Sequence, residues 1–416
     1  VTEHFDTLET RDPEAREREQ FAALRAQLTH AKANAPAYAR LLGGVDTTAV
    51  TTRAALARLP VVRKSELLEL QKAERPFGGF AASGWGTHPR RARLVFASPG
   101  PLYEPEGNTP DYWRLARALF AAGFRAGDLV HNAFSYHLAP GGSMLESGAH
   151  ALGCTVFRAG TGQTELQVQA IAELRPDAYV GTPSFLKIIL DKADEQGIER
   201  ASLRKALVSG EACPPSLRDA LAASGIVAYQ AYATADVGAI AYESEAREGL
   251  IIDEGVLVEI VRPGTGEPVA PGEVGEVVVT TLATADYPLV RFGTGDLSAL
   301  LPGLSPCGRT NMRIKGWLGR ADQTTKVKGM FVHPSQVADI LRRHPEIIRA
   351  RLVVDSLQGA DRMTLHVEMP DNRSTIAEAI VASIREITKL RGEVSFHAPG
   401  QLANDGKVID DIRKYD

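Results

Sequence analysis

The chain has 416 residues, which at about 150 residues per domain predicts two to three domains and a core that needs no disulfide or metal staples. Hydrophobic residues make up 44% and charged residues 24%, the proportions of a soluble globular protein. With 47 Lys and Arg against 51 Asp and Glu the net charge is -4, which argues against a nucleic-acid binder, and no run of about 18 apolar residues exists to span a membrane.

Asp12 and Pro13 open a predicted helix over 13–32, with Phe21, Leu24, Leu28 and Ala31 at helical spacing. The polar segment before it has no apolar stretch of the kind a secretory signal needs. From about 94 to 232, strands alternate with helices. The strands are predicted at 94–97, 129–134, 154–157, 177–180, 206–209 and 226–232. The helices between them are predicted at 109–123, 142–152, 164–174, 182–197 and 214–223. Apolar strands separated by helices predict βαβ units, a parallel sheet covered on both faces, and an α/β fold. After 245 the pattern changes to consecutive strands at 256–262, 275–282 and 288–292, a small antiparallel or barrel-like subdomain over about 245–318. Past Gly319 comes a third pattern: a hairpin (TTKVKGMFVH), a helix (PSQVADILRRH), a second hairpin at 349–369, a helix at 374–389, a strand at 393–397 and a charged tail. The division is therefore a large N-terminal domain over 1–318 and a small α+β C-terminal domain over 319–416.

Several segments have the residue types of a site. TGDL at 294–297 puts Asp296 in a loop after a strand, where its carboxylate can accept two hydrogen bonds from a ribose diol; an ordinary turn is the competing reading. GRAD at 319–322 sets Arg320 and Asp322 at the junction of two folding patterns, the place of a hinge or of a surface linker. Lys407 in DGK stands on a Gly-containing loop, able to reach a phosphate or a developing oxyanion, or simply solvated. FASPGPLYEPEG at 96–107 has the turn residues of a ligand loop, but it is not a Walker loop, and no GxGxxG follows a strand. Phe134, Tyr136 and His137 follow a strand end, where open α/β sheets build their ligand crevice. Core packing competes there, for Phe134 above all. His131, His137 and His150 match no common metal spacing. Cys154, Cys213 and Cys307 are scattered without a CxxC, which argues against a disulfide framework or zinc finger and favours a reducing, cytoplasmic setting.

Seven segments in order carry a resemblance: SGEAC (209–213), YATAD (232–236), GEVGEVVVTT (272–281), PLVRFGTGDL (288–297), PCGRT (306–310), GRADQTTKVKGMFVHPSQV (319–337) and LANDGK (402–407). Together they resemble the adenylate-forming superfamily of acyl-CoA synthetases, most closely its phenylacetate-CoA ligase branch, over roughly residues 15–416. The resemblance implies that Gly210, Glu211 and Ala212 edge an adenine, with Tyr232, Ala233 and Thr234 beside the nucleotide. Asp296 and Arg320 would hold the ribose hydroxyls. Asp322 would be the hinge of a mobile C-terminal cap. Lys407 would be the catalytic lysine of adenylation, bridging two anionic reactants. Asp236 would serve catalysis as the magnesium-associated acid, reaching the ion through water. The acyl pocket would be edged by Phe134, Tyr136, His137, Gly141 and Gly142, with Ala231 and Gly210 at its floor.

The chain departs from the family pattern in three places. The phosphate loop keeps Ser98 and Gly100 but has no Thr and no Lys. The usual hydroxyl position in YATAD is Ala235. Ser305 and Glu243 stand where some relatives place a Cys/His metal cluster, leaving Cys307 alone, so no structural zinc is expected. The resemblance implies ATP, Mg2+ and coenzyme A as cofactors or co-substrates, a small carboxylic acid as partner, and a homodimer. The expected activity is formation of an acyl-adenylate and transfer of the acyl group to coenzyme A. Tyr136 and His137 at the pocket suggest a hydroxy- or amino-substituted aromatic acid. The alternatives are acyl transfer to an amine, a hydroxyl or a carrier thiol, and a catalytically silent nucleotide-binding protein.

Overall fold

The computed structural model describes residues 3–82, 92–98, 101–262, 264–321, 325–327, 330–332, 334–357, 360–370, 376–403 and 407–413. It divides into two compact units, Val1–Leu318 and Gly319–Asp416.

The first unit is organised by a nine-stranded sheet. Five strands run parallel in the order Thr155–Arg158, Leu129–Asn132, Ala178–Gly181, Lys205–Val208, Val227–Thr234. The helices Gly141–Ala151, Thr164–Leu174, Pro183–Glu195 and Pro215–Ala223 connect them. Strand residues alternate between two cores. Ala178 and Val180 pack with Leu119, Met144 and Leu145, while Tyr179 between them packs with Ile171, Leu186 and Ile189. That two-residue alternation into apolar surroundings on both sides is why the strands read as continuous apolar runs. The sheet continues antiparallel through Gly238–Glu243, Leu250–Ile252, Arg313–Ile314 and Leu300–Leu301.

Three expectations change. The segment 94–97 does not join the parallel sheet. Leu94–Ser98 pairs antiparallel with Leu102–Glu106 in a two-stranded hairpin, because a connection this short cannot make a parallel crossover. The predicted helix at 109–123 shrinks to Ala116–Ala121. Asp111 and Arg114 take positive φ (48° and 60°), and the Asp111 carboxylate accepts from the N–H groups of Leu115 and Ala116, competing with an earlier helical start. The strand expected at 288–292 begins only at Phe292 and runs to Ser298, so TGDL lies within it rather than after it. Arg291 (φ 45°) breaks the extended run and buries its guanidinium on Glu259 and the carbonyls of Ala57, Leu59 and Gly266.

The expected barrel-like subdomain is a four-stranded sheet of Val62–Arg63, Phe292–Ser298, Gly275–Thr281 and Val256–Val261, while the other strands of 245–318 extend the large sheet. The pairing slips between Glu276, opposite Leu297, and Val278, opposite Gly293, so that one residue faces 294–296, where Gly295 has φ 76°, as a bulge does.

In the second unit, Glu393–His397, Ala360–Glu368, Arg349–Leu357 and Ile409–Asp411 form a sheet in that order. Leu352, Val354, Met363, Leu365 and Val367 form its apolar face with Val337, Ile340, Ile380 and Ile384 of the two helices. Ile409–Asp411 falls in the segment expected to be a tail; it pairs parallel with Arg349–Leu357. Among the described residues no helix is long and apolar enough to cross a membrane.

Candidate active site

The carboxyl ends of the parallel strands bring most of the candidate residues of the first unit together, as open α/β sheets do. Tyr232, on Val227–Thr234, donates its hydroxyl to Asp296 Oδ2 at 2.8 Å and lies 3.2 Å from Thr294 Oγ1. The other oxygen, Oδ1, accepts from Trp317 Nε1 at 3.1 Å. Thr294 Oγ1 in turn accepts from the Asp296 N–H, so the bulged strand holds its own aspartate. Asp296 is buried, and Trp317 is half exposed. Thr234 Oγ1 accepts from the Val237 N–H and closes the turn that carries Asp236; Ala233 is half-buried beside it.

Asp236 has a fully buried side chain, paired at 2.6 Å with Lys64 Nζ. Its Oδ1 has no hydrogen-bond partner among the described residues. The hairpin carrying Ser98 brings a second buried acid: Glu104 accepts from Ser98 Oγ at 2.5 Å and from the Ser98 N–H. Burial, then the negative charge of Asp236, push the Glu104 carboxyl up to about 8, against the Ser98 bond and the Lys64 cation. Gly100 lies outside the described residues. Glu106 stitches the hairpin to its surroundings, accepting from Trp113 Nε1 and Ser143 Oγ.

Gly210 has φ 84°, and a Cβ there would meet the Phe134 ring and Thr182 at 3.6 Å, so the 209–213 loop and the acyl-pocket loop are neighbours. The Glu211 carboxylate accepts from the Ser184 N–H at the start of a helix, and Ala212 is exposed. Ala231 is buried. The 134–142 loop is tied to the hairpin by the Ala97 N–H donating to Leu138 O. Gly141 and Gly142 open the helix Gly141–Ala151; a Cβ on Gly142 would sit 2.8 Å from Ser135 O and the Tyr136 ring. Tyr136 donates its hydroxyl to Glu146 at 2.9 Å and accepts from Asn132 Nδ2, while Arg158 holds the same glutamate. The hydroxyl expected to read a substrate substituent is therefore committed within the protein. The His137 side chain is exposed.

In the second unit, Lys407 Nζ donates to Asp410 Oδ1 at 2.9 Å. The segment before it lies on the polar face of the sheet: Arg349 and Arg351 donate to the carbonyls of Leu402 and Ala403, and the Leu402 N–H donates to Glu368. Arg320 is half-buried; Asp322 lies outside the described residues.

Residues 112–285 match the family model of the AMP-binding enzymes. The chain is 32% identical over 407 residues to a phenylacetate-coenzyme A ligase of Aromatoleum evansii, covering 91% of this chain and 90% of that protein. The chain belongs to the phenylacetate-CoA ligase branch of the adenylate-forming enzymes. A phenylacetate-coenzyme A ligase of Thermus thermophilus is likewise 32% identical, over 86% of this chain and 84% of that protein. A crystal structure of 2-hydroxyisobutyryl-CoA ligase with 2-HIB-AMP and CoA has the same fold, with TM-score 0.73 at 24% identity over 98% of this chain and 92% of that one. The ligase is thus an AMP-forming CoA ligase, an enzyme class that takes ATP, a small carboxylic acid and CoA.

Sequence reasoning missed three residues of this site. Lys64 stands 172 residues from Asp236 at the start of the helix Lys64–Ala73, with no motif around it. Glu104 lies inside the 96–107 loop, where two acids flank a proline. Trp317 precedes Gly319-Arg320 closely enough that the junction itself was the signal. The residues where zinc ligands were looked for have protein partners: Glu243 accepts from Arg218 and the Gln230 N–H, and Ser305 Oγ and Arg309 Nη1 lie against Cys307 Sγ. Magnesium is a different case. A hard cation takes carboxylate oxygens, and the buried, unpartnered Oδ1 of Asp236 fits that demand.

Proposed function

We propose that this ligase activates an aromatic carboxylic acid as its adenylate and then transfers the acyl group to CoA. In the first step a carboxylate oxygen attacks the α-phosphorus of ATP, the bond to the β-phosphate breaks, and pyrophosphate leaves. In the second, the CoA sulfur attacks the acyl carbonyl, AMP leaves, and the thiol proton passes to solvent. The meeting of Tyr232 and Asp296 at a buried carboxylate carries the nucleotide assignment. Lys407 carries the cation that the first step needs, and its Nζ donates to Asp410 Oδ1. Asp322 is the hinge in this reading. Asp236, with Glu104 near it, would hold magnesium. When bound, that ion supplies neutralisation of phosphate charge. Lys64 supplies the cation that the phosphate loop lacks.

Support for an aromatic acid comes from the Phe134 ring beside Gly141 and Gly210, and from relatives named for phenylacetate. Because Tyr136 donates to Glu146, a polar ring substituent loses the reader that was expected for it. An unsubstituted arylacetate is therefore placed ahead of a hydroxy- or amino-substituted acid. A screen of aromatic and short aliphatic acids by pyrophosphate release, each run with and without CoA, tests both halves. Arylacetates should give the highest kcat/KM and a CoA thioester. AMP without any thioester would sink the second step, and a preference for short aliphatic acids would sink the substrate class.

A further inference from the structure

Trp317 is a large apolar residue left half exposed, outside the buried clusters that stabilise the first unit. Its backbone is nonetheless tied down on both sides. Lys315 N–H donates to Ala299 O, Ser298 Oγ to Gly316 O, and Leu318 N–H to Leu297 O. These bonds run the segment alongside the strand Phe292–Ser298 and aim the indole N–H at Asp296 Oδ1, 3.1 Å away. Tyr232 holds the other oxygen at 2.8 Å. A carboxylate has about four acceptor sites, and one donor on each oxygen stops it rotating about its Cβ–Cγ bond. A vicinal diol presents two hydroxyls side by side, matched to the two oxygens of a carboxylate held in one plane. Burial strengthens each such charge-assisted bond.

We infer that Trp317 is a positioning residue for the nucleotide ribose, fixing the plane in which the Asp296 carboxylate meets the 2′- and 3′-hydroxyls. The inference rests on the reading that Asp296 holds the ribose. Indole suits this role because it offers one N–H, no acceptor, and a rigid ring that cannot fold away from its target.

The test compares kcat/KM for ATP, 2′-deoxyATP and 3′-deoxyATP in full-length wild type and Trp317→Phe, which keeps a ring and removes the N–H. The wild type should prefer ATP to both deoxy forms. In Trp317→Phe that preference should shrink about 5- to 10-fold, the scale of one ordinary hydrogen bond, because the tryptophan acts on the ribose only through the aspartate. KM for the acid should hold. Trp317→Phe added to Asp296→Asn should cost nothing beyond Asp296→Asn alone, because the tryptophan acts through the aspartate. An equal loss for all three nucleotides, or no loss, would show a merely structural tryptophan and overturn the inference. A wild type indifferent to the ribose hydroxyls would overturn the Asp296 assignment itself, and that result appears without any variant.

Discussion

The pair Lys64–Asp236 shows how one contact serves both stability and chemistry. Asp236 is fully buried while Lys64 keeps a quarter of its side chain in solvent, so the aspartate bears the larger cost if the pair is broken. Lys64→Met should cost about 1–3 kcal/mol by leaving a buried carboxylate unpaired. Adding Asp236→Asn should restore part of that loss, since the second change removes the stranded charge. Denaturant unfolding of the two single variants and the double checks this, and additive losses would mean that the two residues are not coupled. Adenylation should fall in both singles if Lys64 stands in for the missing loop lysine. Glu104 bears on pH. Its carboxyl is raised from 4.5 to about 8 by burial first and Asp236 second, so folding favours its protonated form. The stabilisation it lends is complete below about 4.5 and fades as pH rises through 8. Glu104→Gln mimics the protonated state. Thermal melts of the nucleotide-free protein between about pH 5 and 9, the range that brackets this fade, should therefore fall less steeply with pH in the variant than in the wild type.

At the scale of elements, the loop 134–142 joins a strand end to a helix that begins on two glycines. The Ser135 carbonyl accepts from the Gly142 N–H, and Asn132 Nδ2 donates to the Gly142 carbonyl, so this backbone is already gripped from both sides. A Cβ on Gly142 would press on Ser135 O and the Tyr136 ring at 2.8 Å, and neither can retreat while Tyr136 is tied to Glu146 and Asn132. Gly142→Ala should destabilise by about 1–3 kcal/mol, the usual cost of overpacking. It should also raise KM for the acid more than KM for ATP; equal effects on both would mean that the loop does not line the acyl pocket. Much of this level was legible in the sequence. The helix Thr164–Leu174 and the strand Glu393–His397 stand where periodicity set them, because each has a continuous pattern and clear breaks. The failures have two causes. Asp111 looks like a member of a helix but turns its carboxylate onto the N–H groups of a later helix start, a local competition. Arg291 looks like a member of a strand but is claimed by tertiary partners, a buried glutamate and three carbonyls. Lys64 was illegible for the same reason, since nothing within its own helix marks a partner 172 residues away.

For the whole molecule, the decisive feature is how the residues proposed for the reaction are shared between two cores. Tyr232, Asp236, Lys64, Asp296 and Trp317 all belong to Val1–Leu318, whereas Lys407 belongs to Gly319–Asp416. Each unit has an apolar core of its own. Val337, Leu352, Leu365 and Ile384 pack in the second, and Leu24, Val258, Val279 and Phe292 are among those packed in the first. A unit with its own core can fold alone. The fragment 1–318 should therefore fold and bind AMP, because every nucleotide contact assigned to it apart from Arg320 lies within that span. It should form no adenylate, because it lacks Lys407, the cation proposed to bridge carboxylate and α-phosphate. Full-length Lys407→Ala should match it in that respect, losing roughly 10²- to 10³-fold in acid-dependent pyrophosphate release, the scale of one positioned electrostatic donor. It should keep the AMP affinity of the wild type. Given preformed acyl-adenylate and CoA, Lys407→Ala should still make thioester, since that step has no pentavalent phosphorus to stabilise. Isothermal titration of AMP into all three proteins, beside the two half-reaction assays, separates the cases. A fragment that folds but fails to bind AMP would place essential nucleotide contacts in the second unit. A Lys407→Ala enzyme that loses both half-reactions equally would make the lysine a structural support rather than the cation of the first step.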